Sequence, residues 1–258
     1  MGWLREWRRR RVLARTPLEP AAWEAALAAW PVLAGLNAVE RARLRDLAIL
    51  FLHEKAIEPV EGFALDAAER LRLAALACLP VLYLGLDWYR GWASIIVYPG
   101  VFMARHEWTD AAGVVHHVRR PLSGEAWERG PVLLSWDDVE GSAALDGYNV
   151  VLHELAHKLD MLNGEPNGLP PLPAGMRVAA WAAAFGAAYE DFCRRVDAGE
   201  DTPLDPYASD SPEEFFAVLS EAFFEQPGLL AAEYPAVYAQ LAAFYRQDPR
   251  TRLAAGPA

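Results

Sequence analysis

The feature that most restricts the fold is a double change of texture along the chain. Residues 20–85 carry helical signals. Glu19-Pro20 opens one segment, and Leu44, Leu47, Ala48, Phe51 and Leu52 recur with a period of about 3.6. Asp66-Ala67-Ala68-Glu69 has the form of a capping box, an acidic cap with Glu three residues on. After Asp87 the runs shorten. Segments 92–98, 101–105, 114–118 and 132–136 are β-branched or aromatic, separated by Pro99-Gly100, residues 110–113 and Gly130-Pro131. From Gly147 onward the helical pattern returns, broken by a loop at 163–173 with two glycines and four prolines. Helices, a small sheet and helices again predict an α+β fold, mainly helical, with a small and mostly antiparallel sheet. A basic leader at 1–15 would precede a single domain over 16–258: helical at 16–88, sheet at 89–140, further helices at 141–258.

Composition narrows the chemistry. Of 258 residues, 53% are apolar and 23% charged, enough to close a sizeable core. The net charge of −11 argues against general nucleic-acid binding. Cys78 and Cys193 are the only cysteines, which excludes a disulfide scaffold and a four-cysteine zinc site; both read as inert core residues. A bound metal would need carboxylates and some of the six histidines. The longest apolar run, 73–86, holds Pro80 and Gly85 and falls short of the roughly 20 residues that cross a bilayer. Charges from Arg5 onward interrupt any signal peptide, so a cytoplasmic protein without membrane association is expected. Residues 1–15 carry six arginines and one glutamate, a charge of +5 that leaves −16 elsewhere. Docking of this leader on its own acidic body is the simpler expectation; contact with lipid or nucleic acid is the sharper one.

The strongest motif is His153-Glu154-Leu155-Ala156-His157, His-Glu-x-x-His within an apolar helical stretch. Residues four apart share a helix face, so both imidazoles can converge on one cation while Glu154 reaches a water beside it. Asp160 lies seven residues after His153, within about 20° on a helical wheel. It could accept the second ring N–H of a ligand histidine. No histidine follows His157, so a third ligand should be a carboxylate from a later helix. Pro212 suits a first helical turn, with Asp210 or Ser211 as cap. If Asp210 caps, Glu213 closes the capping box and Glu214 can face inward; if Ser211 caps, Glu214 takes the capping role. Glu221, seven residues on, shares the stripe of Glu214. All three glutamates remain candidates on this reading. His53, His106, His116 and His117 have no His four residues later and read as structural.

His153 to Asp160, Tyr207-Ala208-Ser209 and Glu214 to Glu221 together resemble the Mlc titration factor A family of zinc peptidases. The resemblance extends to Tyr245-Arg246-Gln247-Asp248-Pro249 and, upstream, to Ala75 through Pro80 and Tyr98-Pro99. It implies a gluzincin-like zinc metallopeptidase architecture, with an active site similar to the catalytic domain of anthrax lethal factor. It also implies one Zn2+ per chain held by His153, His157 and Glu214. A tyrosine seven residues before the third ligand falls on Tyr207. Glu154 would act as general base and Tyr207 as hydrogen-bond donor to the oxyanion. Asp160 and Glu221 would stand behind the ligands. The implied activity is hydrolysis of peptide or protein substrates, aminopeptidase-like and linked to regulation of sugar uptake. The alternative is a binding protein that sequesters an Mlc-type transcriptional repressor. The segment 132–136 could offer a substrate an edge strand or lie inside the sheet. Asp137, Asp138 and Glu140 would make the entrance acidic.

Overall fold

In the computed structural model the described residues are 2–109, 115–127 and 130–253, with side chains described outside 103–121. The expected turn at 110–113, the side chains of His106, His116 and His117, and the end of the chain from 254 lie outside that set. The N-terminal part is helical: α1 (Gly2–Arg15), α2 (Pro20–Ala28), α3 (Ala38–Glu54) and α4 (Ala67–Ala77). Asn37 and Asp66 each close a full capping box, with Glu40 and Glu69, at the starts of α3 and α4. α1 docks on the acidic body. Arg9 grips Glu54 at 2.7 and 3.0 Å, Arg5 and Arg9 meet Asp87, and Val12 and Leu13 rest on the core.

The strands are β1 (Ala56–Pro59), β2 (Ser94–Tyr98), β3 (Phe102–Thr109), β4 (Val115–Leu122), β5 (Gly124–Ala126) and β6 (Val132–Ser135). Among the described residues β3 and β4 pair only with each other, antiparallel. The remaining strands form one sheet in the order β1-β2-β6-β5. β1–β2 and β2–β6 are parallel, and only β5–β6 is antiparallel. The sheet is therefore mixed, which corrects the expectation of a mostly antiparallel one. Parallel neighbours need long crossovers. Here α4 carries the chain from β1 to β2, and the β3–β4 pair is an excursion between β2 and β6. β6 is an inner strand, and the edge beyond it is β5.

α5 (Trp136–Gly141) leads into α6 (Val150–Asp160), followed by α7 (Val178–Asp197), α8 (Pro212–Glu225), α9 (Pro227–Glu233), α10 (Pro235–Tyr245) and α11 (Arg250–Leu253). One buried cluster runs from Trp23 to Tyr245 and takes in the inner faces of α3, α4, α6 and α8. Among the described residues no helix is long and apolar enough to cross a membrane.

Candidate metal centre

α6 begins where Asn149 accepts the Leu152 amide on its side chain, a cap that releases the helix from the preceding loop. Val151, Leu152, Leu155 and Leu159 sink into the core. That burial fixes the rotation of α6 and turns His153 and His157 toward α8.

α8 starts with Ser211 as cap and Pro212 at its first position. The Ser211 hydroxyl accepts the Glu214 amide at 3.3 Å. On that register the sequence assigned Glu214 a capping role. Its carboxylate instead turns away from the cap and lies 3.0 Å from His153 Nε2 and 3.4 Å from His157 Nε2. The two Nε2 atoms are 3.2 Å apart. Four-coordinate zinc with bonds of about 2.0–2.1 Å separates neighbouring ligands by roughly 3.3 Å. These three atoms therefore have the spacing of one face of a coordination tetrahedron. Among the described residues His153, His157 and Glu214 are the one such group with metal-binding spacing, and Glu213 is not part of it.

The donor set suits a cation. His153 Nδ1 lies 2.7 Å from Glu221 Oε1, so the ring donates there and Nε2 is the atom that faces His157 and Glu214, its lone pair open to a cation once its proton has left. Burial works against a charged His153, yet Glu221 and Glu214 overcome it and hold the ring well above the usual histidine range. Burial also opposes charge on Glu214, but hydrogen bonds from both histidines keep it well below the usual carboxylate range. Glu154 is 5% exposed, and burial pushes its carboxyl up to about 7 against the pull of the two histidines. Its Oε2 has no hydrogen-bond partner.

Tyr207 stands at the mouth, 46% exposed, on a short helical turn, Pro206–Ser209. Its ring stacks 6.3 Å from that of His153. Burial, then the charge of Glu214 and a hydrogen bond to it, push the phenol well above its usual range and keep it protonated. Asp160 is fully buried, but it does not hydrogen-bond a histidine. Its Oδ2 accepts the amides of Asn167 at 2.8 Å and Gly168 at 2.7 Å. Its Oδ1 and His157 Nδ1 are both buried without a hydrogen bond.

Several residues escaped the sequence reading. Asn149 donates its backbone amide to Glu221 and its side-chain amide to Glu225 at 2.7 Å, tying the start of α6 to α8. The signal was present, since Asn is a favoured cap and stands just before the apolar run. Tyr148 sits beside Glu154 and Glu221, shares a hydrogen bond with Ser123, and is pushed by burial up to about 12. Gly124, on the edge strand β5, lies against Glu154. A Cβ there would stand 2.5 Å from Glu154 Oε1 and 2.8 Å from Val150 Cγ2, so the strand approaches the helix only as glycine. By contrast, Glu140 on α5 turns to Arg72, and His53 is exposed away from the cluster. Cys78 is buried and its thiol is pushed up by burial, as an inert core residue's would be.

Two imidazoles, a carboxylate and a buried acid beside them form a group that could hold a metal ion, of the kind metallopeptidases use, on a mainly helical α+β scaffold. The chain belongs to the glucose-regulated metallo-peptidase M90 family, whose pattern it matches over residues 4–246. Relatives named Mlc titration factor A are 43% identical over 238 residues in Cronobacter sakazakii, covering 92% of this chain and 89% of the relative. The relative from an Enterobacter species is 43% identical over 234 residues, covering 90% and 88%. That from Escherichia fergusonii is 42% identical over 238 residues, covering 91% and 89%.

Proposed function

We propose that the protein is a zinc-dependent peptidase of gluzincin type, with His153, His157 and Glu214 as ligands of one Zn2+. The observation that carries the proposal is the triangle of three ligand atoms 3.0–3.4 Å apart with Glu154 buried beside it. A zinc ion held there supplies Lewis acidity, polarising a carbonyl and acidifying water. Glu154 takes the proton from the attacking water and returns it to the leaving amine. Its carboxyl near 7 can hold or release that proton at neutral pH. Tyr207 donates a hydrogen bond to the developing oxyanion, since its phenol stays protonated. Glu221 fixes the tautomer of His153. Asp160 acts at one remove, through the loop it holds. The substrate is a peptide or protein segment whose backbone lies along β5, the edge strand beside Glu154. Aminopeptidase-like cleavage follows from the family resemblance.

A second reading rests on the relatives' name: the chain sequesters an Mlc-type transcriptional repressor, with hydrolysis secondary or absent. One experiment separates the two, using zinc content and peptide hydrolysis of the full chain, Glu154→Gln and Glu214→Gln. Glu154→Gln should keep its metal and lose about 100-fold or more in turnover. Glu214→Gln should lose the metal as well. Full activity in Glu154→Gln would sink the mechanism. A wild-type chain that binds a repressor but neither zinc nor peptide would establish the second reading.

A further inference from the structure

The lysine that follows the second histidine is not used by the chemistry above, yet it is 2% exposed. A buried ammonium needs partners to replace water. Among the described residues Lys158 has no carboxylate partner. Its Nζ donates to two backbone carbonyls, those of Trp127 and Gly130. The indole face of Trp92 lies 5.6 Å from the same Nζ. Trp127 and Gly130 bound the connection between β5 and β6. The two residues are tied to each other, with Gly130 N donating to Trp127 O at 3.1 Å and Trp127 N to Pro131 O at 3.2 Å.

Val150, Glu154 and Lys158 are spaced four apart and form one stripe of α6. The near end of β5 rests on the first two through Gly124. The far end is held by the third through the carbonyls of Trp127 and Gly130. The histidines occupy the neighbouring stripe and face α8. One helix therefore carries the metal ligands on one side and the seat of the edge strand on the next.

We propose that Lys158 is a positioning residue that sets the height of β5 above α6 and so the placement of a substrate backbone relative to Glu154. The proposal rests on the peptidase reading only for its catalytic consequence. The clamp itself is a statement about the strand.

The test uses the full chain with zinc and the variant Lys158→Met, which keeps the apolar stem and removes the donors. Backbone amide exchange, zinc stoichiometry and peptide kinetics are measured on the same preparations. Losing two charged hydrogen bonds should speed exchange in residues 124–131 by about tenfold or more while β1 and β2 stay within about twofold. Zinc stoichiometry should not change. KM should rise about tenfold, with kcat within about threefold. Lys158→Arg, which restores donors, should recover most of both effects; it also serves if Lys158→Met does not fold. Exchange that rises throughout the molecule, or stays unchanged at 124–131, overturns the clamp. Local loosening with unchanged KM overturns the positioning role. If the wild type cleaves no peptide, the peptidase reading fails, and the exchange arm still decides the clamp.

Discussion

His153 and His157 project from the same helix one turn apart, yet the protein holds them differently. His153 is bound on its far side by Glu221, and Glu221 is in turn held by the Asn149 amide, whose side chain is fixed by Glu225. Among the described residues His157 has no such partner; its Nδ1 is buried without a hydrogen bond. Asp160, in reach of it by sequence spacing, is committed to a loop. That loop carries its own connection to the metal centre. Gly168, whose amide Asp160 accepts, gives its carbonyl to Trp181 at 2.9 Å. A Cβ on Gly168 would come 2.5 Å from the Pro212 carbonyl, and its φ of +76° favours glycine as well. The loop therefore lies tightly against the first turn of α8, two residues before Glu214. One carboxylate orients His153 directly; the other seats the helix that brings Glu214 to the two histidines.

Among the residues behind the three grouped side chains, Glu221→Gln should give the largest effect on metal binding. Glutamine offers one acceptor oxygen where His153 Nδ1–H and the Asn149 amide each need one. Zinc affinity, read by competition with a chelating dye, should fall about 10- to 100-fold. A loss below threefold would remove the distinction between the histidines.

The pH dependence sharpens the same contrast. His153 is held above its usual range in the metal-free protein, so its proton must leave before the ion binds. Affinity should weaken as pH falls, by about tenfold per unit below the His153 pKa. Calorimetry in buffers of different ionisation enthalpy should show proton release on binding, reduced in Glu221→Gln because the group that raises His153 is gone.

Asp160→Asn should leave zinc affinity within about threefold. The amide weakens the bonds to Asn167 and Gly168, and unfolding should show a loss of about 1–2 kcal/mol. Limited proteolysis should find the loop at 163–173 more readily. A metal loss as large as that of Glu221→Gln would break the comparison. Glu225→Gln should give the smallest effect, about twofold on zinc affinity by the same titration. Burial already pushes the Glu225 carboxyl up to about 7, and a neutral side chain resembles the form it partly holds.

Much of the centre was legible because a helix converts spacing into direction. His153, Glu154 and His157 could be read from their interval, and the apolar residues around them fixed which way the helix turns. The capping boxes at Asn37 and Asp66 are local in the same sense, although only the second was anticipated. Glu214 was different. With Ser211 as cap, local rules made it a capping partner, yet its carboxylate lies against the two imidazoles across from α8. Asp160 shows the converse: its wheel position pointed to a histidine, and two amides of a folded-back loop outcompeted it. The sheet was misread for a related reason. Short strands close in sequence suggest hairpins, but β2 and β6 pair in parallel across an excursion, and β1 and β5 are too short to carry a pattern.

What the sequence determined by itself is the pair of histidines that could hold a metal, the acid between them and the mainly helical α+β frame, since each depends on contacts within a few turns. The tertiary structure decided which glutamate completes the triangle, which carboxylate orients a histidine, and which strand borders Glu154. Those choices are made between segments some sixty residues or more apart in the two carboxylate cases, and about thirty in the strand. There the geometry of packing, not the local propensity of either segment, sets which groups meet.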